Sequence, residues 1–212
     1  IGQLMERFTI QAGKRVRNFP FLMGQGVWID SERLGGQDRV REVLKHGTLS
    51  VGFIGLAEAV HALIGEHHGQ SQRAWDLAYS IVVRMRWRMN QAAERTGLNF
   101  SLLATPAEGL AGRFVRMDQR LHGIIPGVTD KEYYTNSFHI PVGFDIGLAD
   151  KIAKEAPFHA LTNAGHITYV EIDGDPSKNV GAIEQIVRFM AGSGIGYGAI
   201  NHPVDHDPVC GY

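Results

Sequence analysis

Phe100-Ser101-Leu102-Leu103-Ala104-Thr105-Pro106-Ala107-Glu108-Gly109-Leu110 runs from a short apolar segment directly into a helix-start signal. Phe100 to Ala104 reads as a buried strand. Thr105 offers a capping hydroxyl, Pro106 suits the first helical position, and Glu108 places a carboxylate in the first turn. A strand that ends in a helix leaves free backbone N–H groups beyond its carboxyl end. With the helix dipole behind them, such groups suit a phosphate. Residues Ala104, Thr105, Pro106, Ala107, Glu108 and Gly109 are therefore a candidate phosphate cradle. Glu108 sits awkwardly beside an anion and is expected to turn away, or to hold a ribose or a water. The segment alone also fits an ordinary capped helix that binds nothing, and capping signals are far commoner than ligand sites.

Working outward, strands and helices alternate. Leu4, Phe8, Ile10 and Val16 suit the tail of an amphipathic helix, and a loop with Gly24, Gly26, Gly35 and Gly36 follows. Leu49 to Leu56 reads as a buried strand, leading into a helix from Ala57 to about Glu66 with Leu56, Val60, Leu63 and Ile64 on one face. The spacing of Trp75, Ala78, Val82, Met85 and Met89 predicts a long helix over Gln70–Arg95, ended by Gly97. That Met and Trp stripe is read as core. Tyr133 to Val142 is β-prone and ends at Pro141, and His166 to Ile172 alternates like a strand. A helix after Asp175-Pro176-Ser177 should turn Val180, Ile183, Ile186, Val187 and Met190 inward, before a glycine-rich strand at Ile195–Ile200. The order predicts an α/β fold with much parallel sheet, without repeats or an interior linker.

Composition removes several function classes. The 21 basic and 22 acidic residues leave a formal charge of −1, which is no footprint for nucleic acid. No apolar run reaches membrane-helix length, and the opening residues lack a signal-peptide layout. The lone Cys210 has no internal disulfide partner, which fits a reducing, cytoplasmic setting. The 26 glycines exceed ordinary usage and suit tight turns near a ligand. Of ten histidines, His67, His68 and His122 read as solvated loop residues. His139 and His166 read as hydrogen-bonded imidazoles on strands. His206, Asp207 and Cys210 are possible metal ligands, but they lack the second thiolate of a zinc knuckle.

In combination, several segments resemble the anaerobic (class III) ribonucleoside-triphosphate reductases, a glycyl-radical enzyme family. They are Gly47-Thr48-Leu49-Ser50-Val51-Gly52-Phe53-Ile54-Gly55-Leu56 and the stretch quoted first, continued through Ala111-Gly112-Arg113-Phe114. Pro126-Gly127-Val128-Thr129-Asp130-Lys131, Tyr133-Tyr134-Thr135-Asn136-Ser137-Phe138-His139 and Gly198-Ala199-Ile200-Asn201-His202-Pro203-Val204-Asp205 complete the set. The resemblance implies a ten-stranded α/β barrel of two half-barrels, with residues 1–200 in the second half and 201–212 beginning a zinc-knuckle region. It implies that the 104–109 turn receives the substrate's phosphates, and that Asn136, Ser137 and His139 form active-site wall.

The same resemblance implies a glycyl radical that generates a thiyl radical on a finger-loop cysteine. The thiyl abstracts the ribose 3′ hydrogen, and the 2′ hydroxyl is lost. Both radical residues are expected outside these 212 residues, so the chain reads as a stretch of a larger protein that is inactive by itself. Cys210-Gly211-Tyr212 looks superficially like the radical motif. The preceding Ile200 to Asp205 places it instead at the first zinc knuckle, where Asp207 replaces a cysteine and Cys210, with Asp207 or His206, remains to hold zinc. Implied partners are a ribonucleoside triphosphate, a radical-SAM activating enzyme, formate or a dithiol protein as reductant, ATP or dNTP effectors and a second copy in a homodimer. Two other readings are a glycyl-radical lyase of the pyruvate formate-lyase type and a non-catalytic nucleotide- or zinc-binding scaffold. A phosphate cradle argues against the lyase, because a small keto acid has no triphosphate to dock.

Overall fold

A computed structural model describes residues 1–172 and 175–201. Along them lie α1 (Gly2–Ala12), α2 (Pro20–Gly24), α3 (Arg41–Leu44), β1 (Thr48–Phe53), α4 (Leu56–Ile64) and α5 (Gln72–Thr96). Then follow β2 (Asn99–Ala104), α6 (Glu108–His122), α7 (Leu148–His159), β3 (Thr168–Glu171), α8 (Val180–Gly192) and β4 (Gly198–Asn201). β1 pairs with β2, and β3 pairs with β4. The β3–β4 pair is parallel, with Thr168 opposite Gly198 and Glu171 opposite Asn201, and α8 makes the crossover. The fold is thus mixed α/β.

The chain divides into two compact units. The first comprises residues 1–51 and 85–102. Its small core joins Met23, Val40 and Val43 to Val16, Phe19, Trp28, Leu34 and Leu44. The expected glycine loop contains α2 and a 3-10 turn at Ser31–Arg33, because Phe19 and Met23 before the first glycines and Trp28 after them supply apolar anchors.

The second unit comprises residues 52–84 and the chain from 103 onward. Ile152 of α7, Val170 of β3 and Met190 of α8 form one core, against which Leu148, Ile172, Ile186 and Ile195 pack. Only part of the expected α8 face points inward. Ile183, Ile186 and Met190 share one stripe, whereas Val180 and Val187 fall on the next stripe and are exposed. A methyl on Gly198 would overlap Met190, so the glycine lets that side chain lie against the strand. Phe158, stacked on Phe138 and edge-on to Trp75 and Tyr79, fills a second centre.

Three further expectations are corrected. β1 is not buried on both faces: Thr48, Ser50 and Gly52 are exposed while Leu49, Val51 and Phe53 are half-buried, the alternation of a one-sided strand. On α4, Leu56 and Val60 are buried but Leu63 is exposed. Tyr133 to Val142 is not a strand. Asn136 makes a single antiparallel bridge with Ile54, and Ser137 adopts φ +43, which breaks any ladder. Accordingly His139 lies in a loop, and His166 precedes β3 instead of sitting in it.

Candidate functional site

Ala104, at the end of β2, donates its N–H to Gly165 O at 3.0 Å. Helix α6 then begins two residues later than the cap signal predicts, at Glu108, with Ala107 as the capping residue. The Thr105 hydroxyl reaches back to Leu103 O at 3.5 Å and does not cap the helix, and Pro106 stands outside it. No side chain caps the helix, but Asn136, from a distant loop, holds the residue before it: its Oδ1 accepts the Ala107 N–H at 3.3 Å. Of the candidate phosphate-binding residues 104–109, Ala104 and Ala107 have engaged amides and Pro106 has none. The amides of Glu108, Gly109 and Leu110 have no acceptor within their own helix, and the α6 dipole adds to their pull on an anion.

The turn separates two clefts of the second unit. On one side is a polar cleft of about 290 Å³ that brings together Pro106, Asn136, His139, Lys151, Tyr169 and Glu171. Lys151 Nζ lies 2.7 Å from a Glu171 carboxylate oxygen, its stem largely enclosed. His139 Nε2 sits 2.7 Å from Ile167 O, and since a carbonyl only accepts, this nitrogen carries the proton. Ser137, expected beside these residues, is buried at 2% exposure and does not line the cleft. On the other side lies a larger, mostly apolar cleft of about 750 Å³, lined by Gly52, Leu103, Thr105, Leu110, Phe114 and Tyr134. The polar cleft takes Pro106 of the turn and the Lys151–Glu171 pair, whereas Thr105 and Leu110, at the start of α6, face the apolar one. The apolar one offers mainly hydrocarbon.

Several polar groups around the cleft carry no sequence signal. Glu58, 2% exposed, accepts from Lys131 Nζ at 2.9 Å, Thr135 N at 3.1 Å and the Thr135 hydroxyl at 2.7 Å, all on one oxygen. His68 is fully buried, contrary to a solvated loop residue, and Nε2 donates to Phe138 O at 2.8 Å. Burial holds the His68 imidazole down to about 4, and holds half-buried His67 below its usual value. Only His122 of that trio is exposed. Glu155 is fully buried with Oε1 accepting from Ile140 N at 3.0 Å, and burial raises its carboxyl. His159 accepts the Gly196 N–H on Nδ1 at 3.0 Å, so Nε2 donates to the Thr168 hydroxyl at 2.9 Å. Burial, with His166 and His139 nearby, lowers His159 to about 4. The Tyr134 phenol donates to Asp118 at 2.7 Å, and burial pushes its ionisation above the usual range.

Among the described residues no three His, Cys, Asp or Glu side chains come together as a metal site, and no helix is long and apolar enough to cross a membrane. His206, Asp207 and Cys210 lie outside the described residues. The described residues contain no thiol.

Comparison with known proteins gives this arrangement a context. A protein-family model described as "Anaerobic ribonucleoside-triphosphate reductase" matches residues 1–212. The enzyme of that name from Escherichia coli (strain K12) is 38% identical over 212 residues, covering 99% of this chain and 29% of the relative. The one from Enterobacteria phage T4 is 36% identical over 210 residues, covering 98% of this chain and 32% of the relative. The chain thus spans about three-tenths of the length of these relatives. Among solved structures, the anaerobic ribonucleotide reductase from Thermotoga maritima with dATP bound in its specificity site superposes with a TM-score of 0.62 at 16% identity, covering 92% of this chain and 33% of that one. The same enzyme in complex with dATP and CTP gives 0.59 at 16% identity, covering 99% and 37%. By the whole-length match and the close relatives, this chain belongs to the anaerobic ribonucleoside-triphosphate reductase family.

Proposed function

We propose that the chain forms part of the substrate-binding wall of an anaerobic reductase that converts ribonucleoside triphosphates to 2′-deoxyribonucleoside triphosphates for DNA synthesis. The observation that carries this reading is the polar cleft, which unites Pro106 of the turn with Asn136, His139 and Lys151 from two distant segments. The free amides at the start of α6 and the Lys151 cation suit a triphosphate. Asn136 fixes the turn by holding the Ala107 amide. Packing behind the cleft, with Phe138 fully buried, keeps water from one side of a bound nucleotide. The family's glycyl radical and thiyl chemistry act on the ribose from polypeptide outside these residues.

On this reading the strands belong to the second half of a ten-stranded α/β barrel, residues 1–200, with residues 201–212 opening a zinc-knuckle region. One thiolate, one imidazole and one carboxylate are all legitimate zinc donors, so Cys210 with Asp207 or His206 suits that role. The whole enzyme is cytoplasmic and homodimeric. It is activated by a radical-SAM enzyme, reduced by formate or a dithiol protein, and tuned by ATP and dNTP effectors.

The test is a full-length gene carrying Asn136→Asp, assayed under strict anoxia with its activating enzyme. The substitution keeps the acceptor for Ala107 and adds a negative charge beside the turn. KM for the ribonucleoside triphosphate should rise about tenfold or more. An unchanged KM removes the phosphates from this turn. Failure of the unmutated gene to restore anoxic growth of a reductase-deficient strain removes the whole reading.

A further inference from the structure

The loop from Thr135 to Ile140 has no sheet ladder to hold it. Beyond the bridge at Asn136, the bond from Gly55 N to Thr135 O (2.7 Å) and a turn bond from His139 N to Asn136 O (3.1 Å), its backbone is tied to the rest of the unit by side chains. Those side chains are three deeply buried ionisable residues from different parts of the second unit. Glu58 of α4 accepts from Thr135 N (3.1 Å), His68 in the turn before α5 donates to Phe138 O (2.8 Å), and Glu155 of α7 accepts from Ile140 N (3.0 Å). Exposure of the three is 2%, 0% and 0%, and Thr135, Phe138 and Ile140 are buried with them. Asn136 and His139, between the tied positions, reach the polar cleft.

Burying an ionisable group is a costly way to satisfy a single backbone donor or acceptor. Three such groups on one six-residue loop make sense where the loop's geometry has to be fixed closely. Among the described residues His68 Nδ1, Glu58 Oε2 and Glu155 Oε2 find no hydrogen-bond partner, and beyond the loop Glu58 is held by the Lys131 ammonium on its other oxygen, so the bond to the loop is the main polar tie of each side chain. We infer that Glu58, His68 and Glu155 are positioning residues that set Asn136 and His139 against the substrate in the cleft. The inference deepens the proposed function and rests on the cleft being the substrate site.

Glu155 gives the cleanest test, in the full-length parent enzyme. Glu155→Gln keeps an acceptor for the Ile140 amide, and Glu155→Leu removes it. Amide hydrogen exchange across residues 135–141 is read beside KM and kcat for a ribonucleoside triphosphate. Glu155→Leu should speed exchange at Ile140 about tenfold or more and raise KM by a similar factor while kcat stays within about twofold. Glu155→Gln should restore both. If the leucine variant does not fold, Glu155→Asp, which withdraws the carboxylate by one methylene, takes its place. Unchanged exchange in the leucine or aspartate variant, or a glutamine variant no better than the leucine one, overturns the inference. Faster exchange with an unchanged KM throughout leaves the loop pinned as described and instead removes the cleft as the substrate site.

Discussion

A methyl group on Gly52 would overlap the Thr105 hydroxyl oxygen and come within 3.3 Å of its Cβ. In a strand interior, glycine is ordinarily a weakness that alanine improves by about 0.5–1 kcal/mol. Here the overlap reverses the sign, because overpacking a fitted contact costs about 1–3 kcal/mol. Gly52→Ala should therefore destabilise the protein. Adding Thr105→Ala should recover more than half of the loss, read as the coupling in a double-mutant cycle of denaturant midpoints. Additive effects would mean that Thr105 simply rotates away. The pair also shows what a sequence conceals. Thr105 reads locally as a helix cap, yet its side chain is occupied across a strand pair 53 residues away in number. The turn before the helix is held instead by Asn136, whose reach to Ala107 no local pattern announces.

At the level of elements, the histidines around the pinned loop make stability depend on pH in a definite direction. His68 and His159 are held down to about 4, whereas an unfolded imidazole titrates near 6.5. Between these values the unfolded chain binds more protons than the folded one. Their contribution to stability is complete above about pH 6.5 and is lost as the pH falls toward 4, by up to about 1.4 kcal/mol per unit for each group. Glu155, raised by burial, acts oppositely: its contribution is present below the usual carboxyl range and lost as pH rises through its elevated value. Melting curves from pH 4.5 to 7.5 should show His68→Gln flattening the acid limb and Glu155→Gln flattening the alkaline one. A His68→Gln variant with the parent's acid slope contradicts the assignment. Glu155 and His159 were hard to read because their helix was hard to read. Leu148, Ile152 and Glu155 keep helical spacing, but Pro157 sits in the last turn of α7 and reads as a breaker. The Trp75 indole donates to Lys154 O at 2.9 Å on that same turn, a tie 79 residues apart in sequence.

For the molecule as a whole, the alternation of strand and helix was legible, since β2 into α6 and β3 through α8 to β4 follow from short apolar runs and helical stripes. What local pattern reports poorly is which apolar faces find a partner. Leu110, Phe114, Met117 and Leu121 recur at spacings of 4, 3 and 4 along α6, the signature of an inward face, yet all four are substantially exposed, with Ile124 and Ile125 exposed just beyond the helix. Folded monomers seldom present so continuous an apolar stripe to water. Each of the two sheets among the described residues also has only two strands, which leaves unpaired edges. These 212 residues, expressed without the rest of a parent enzyme, should therefore self-associate. Light scattering behind size-exclusion should give a mass above the monomer that grows with concentration. Replacing Phe114, Met117 and Leu121 together by glutamine should shift the distribution toward monomer without loss of helical signal, because those side chains contribute little to the interior. A parent chain that runs as a single monomer at tens of micromolar would show the stripe to be harmless in water, and would favour the stand-alone scaffold over a wall that the remainder of the enzyme covers.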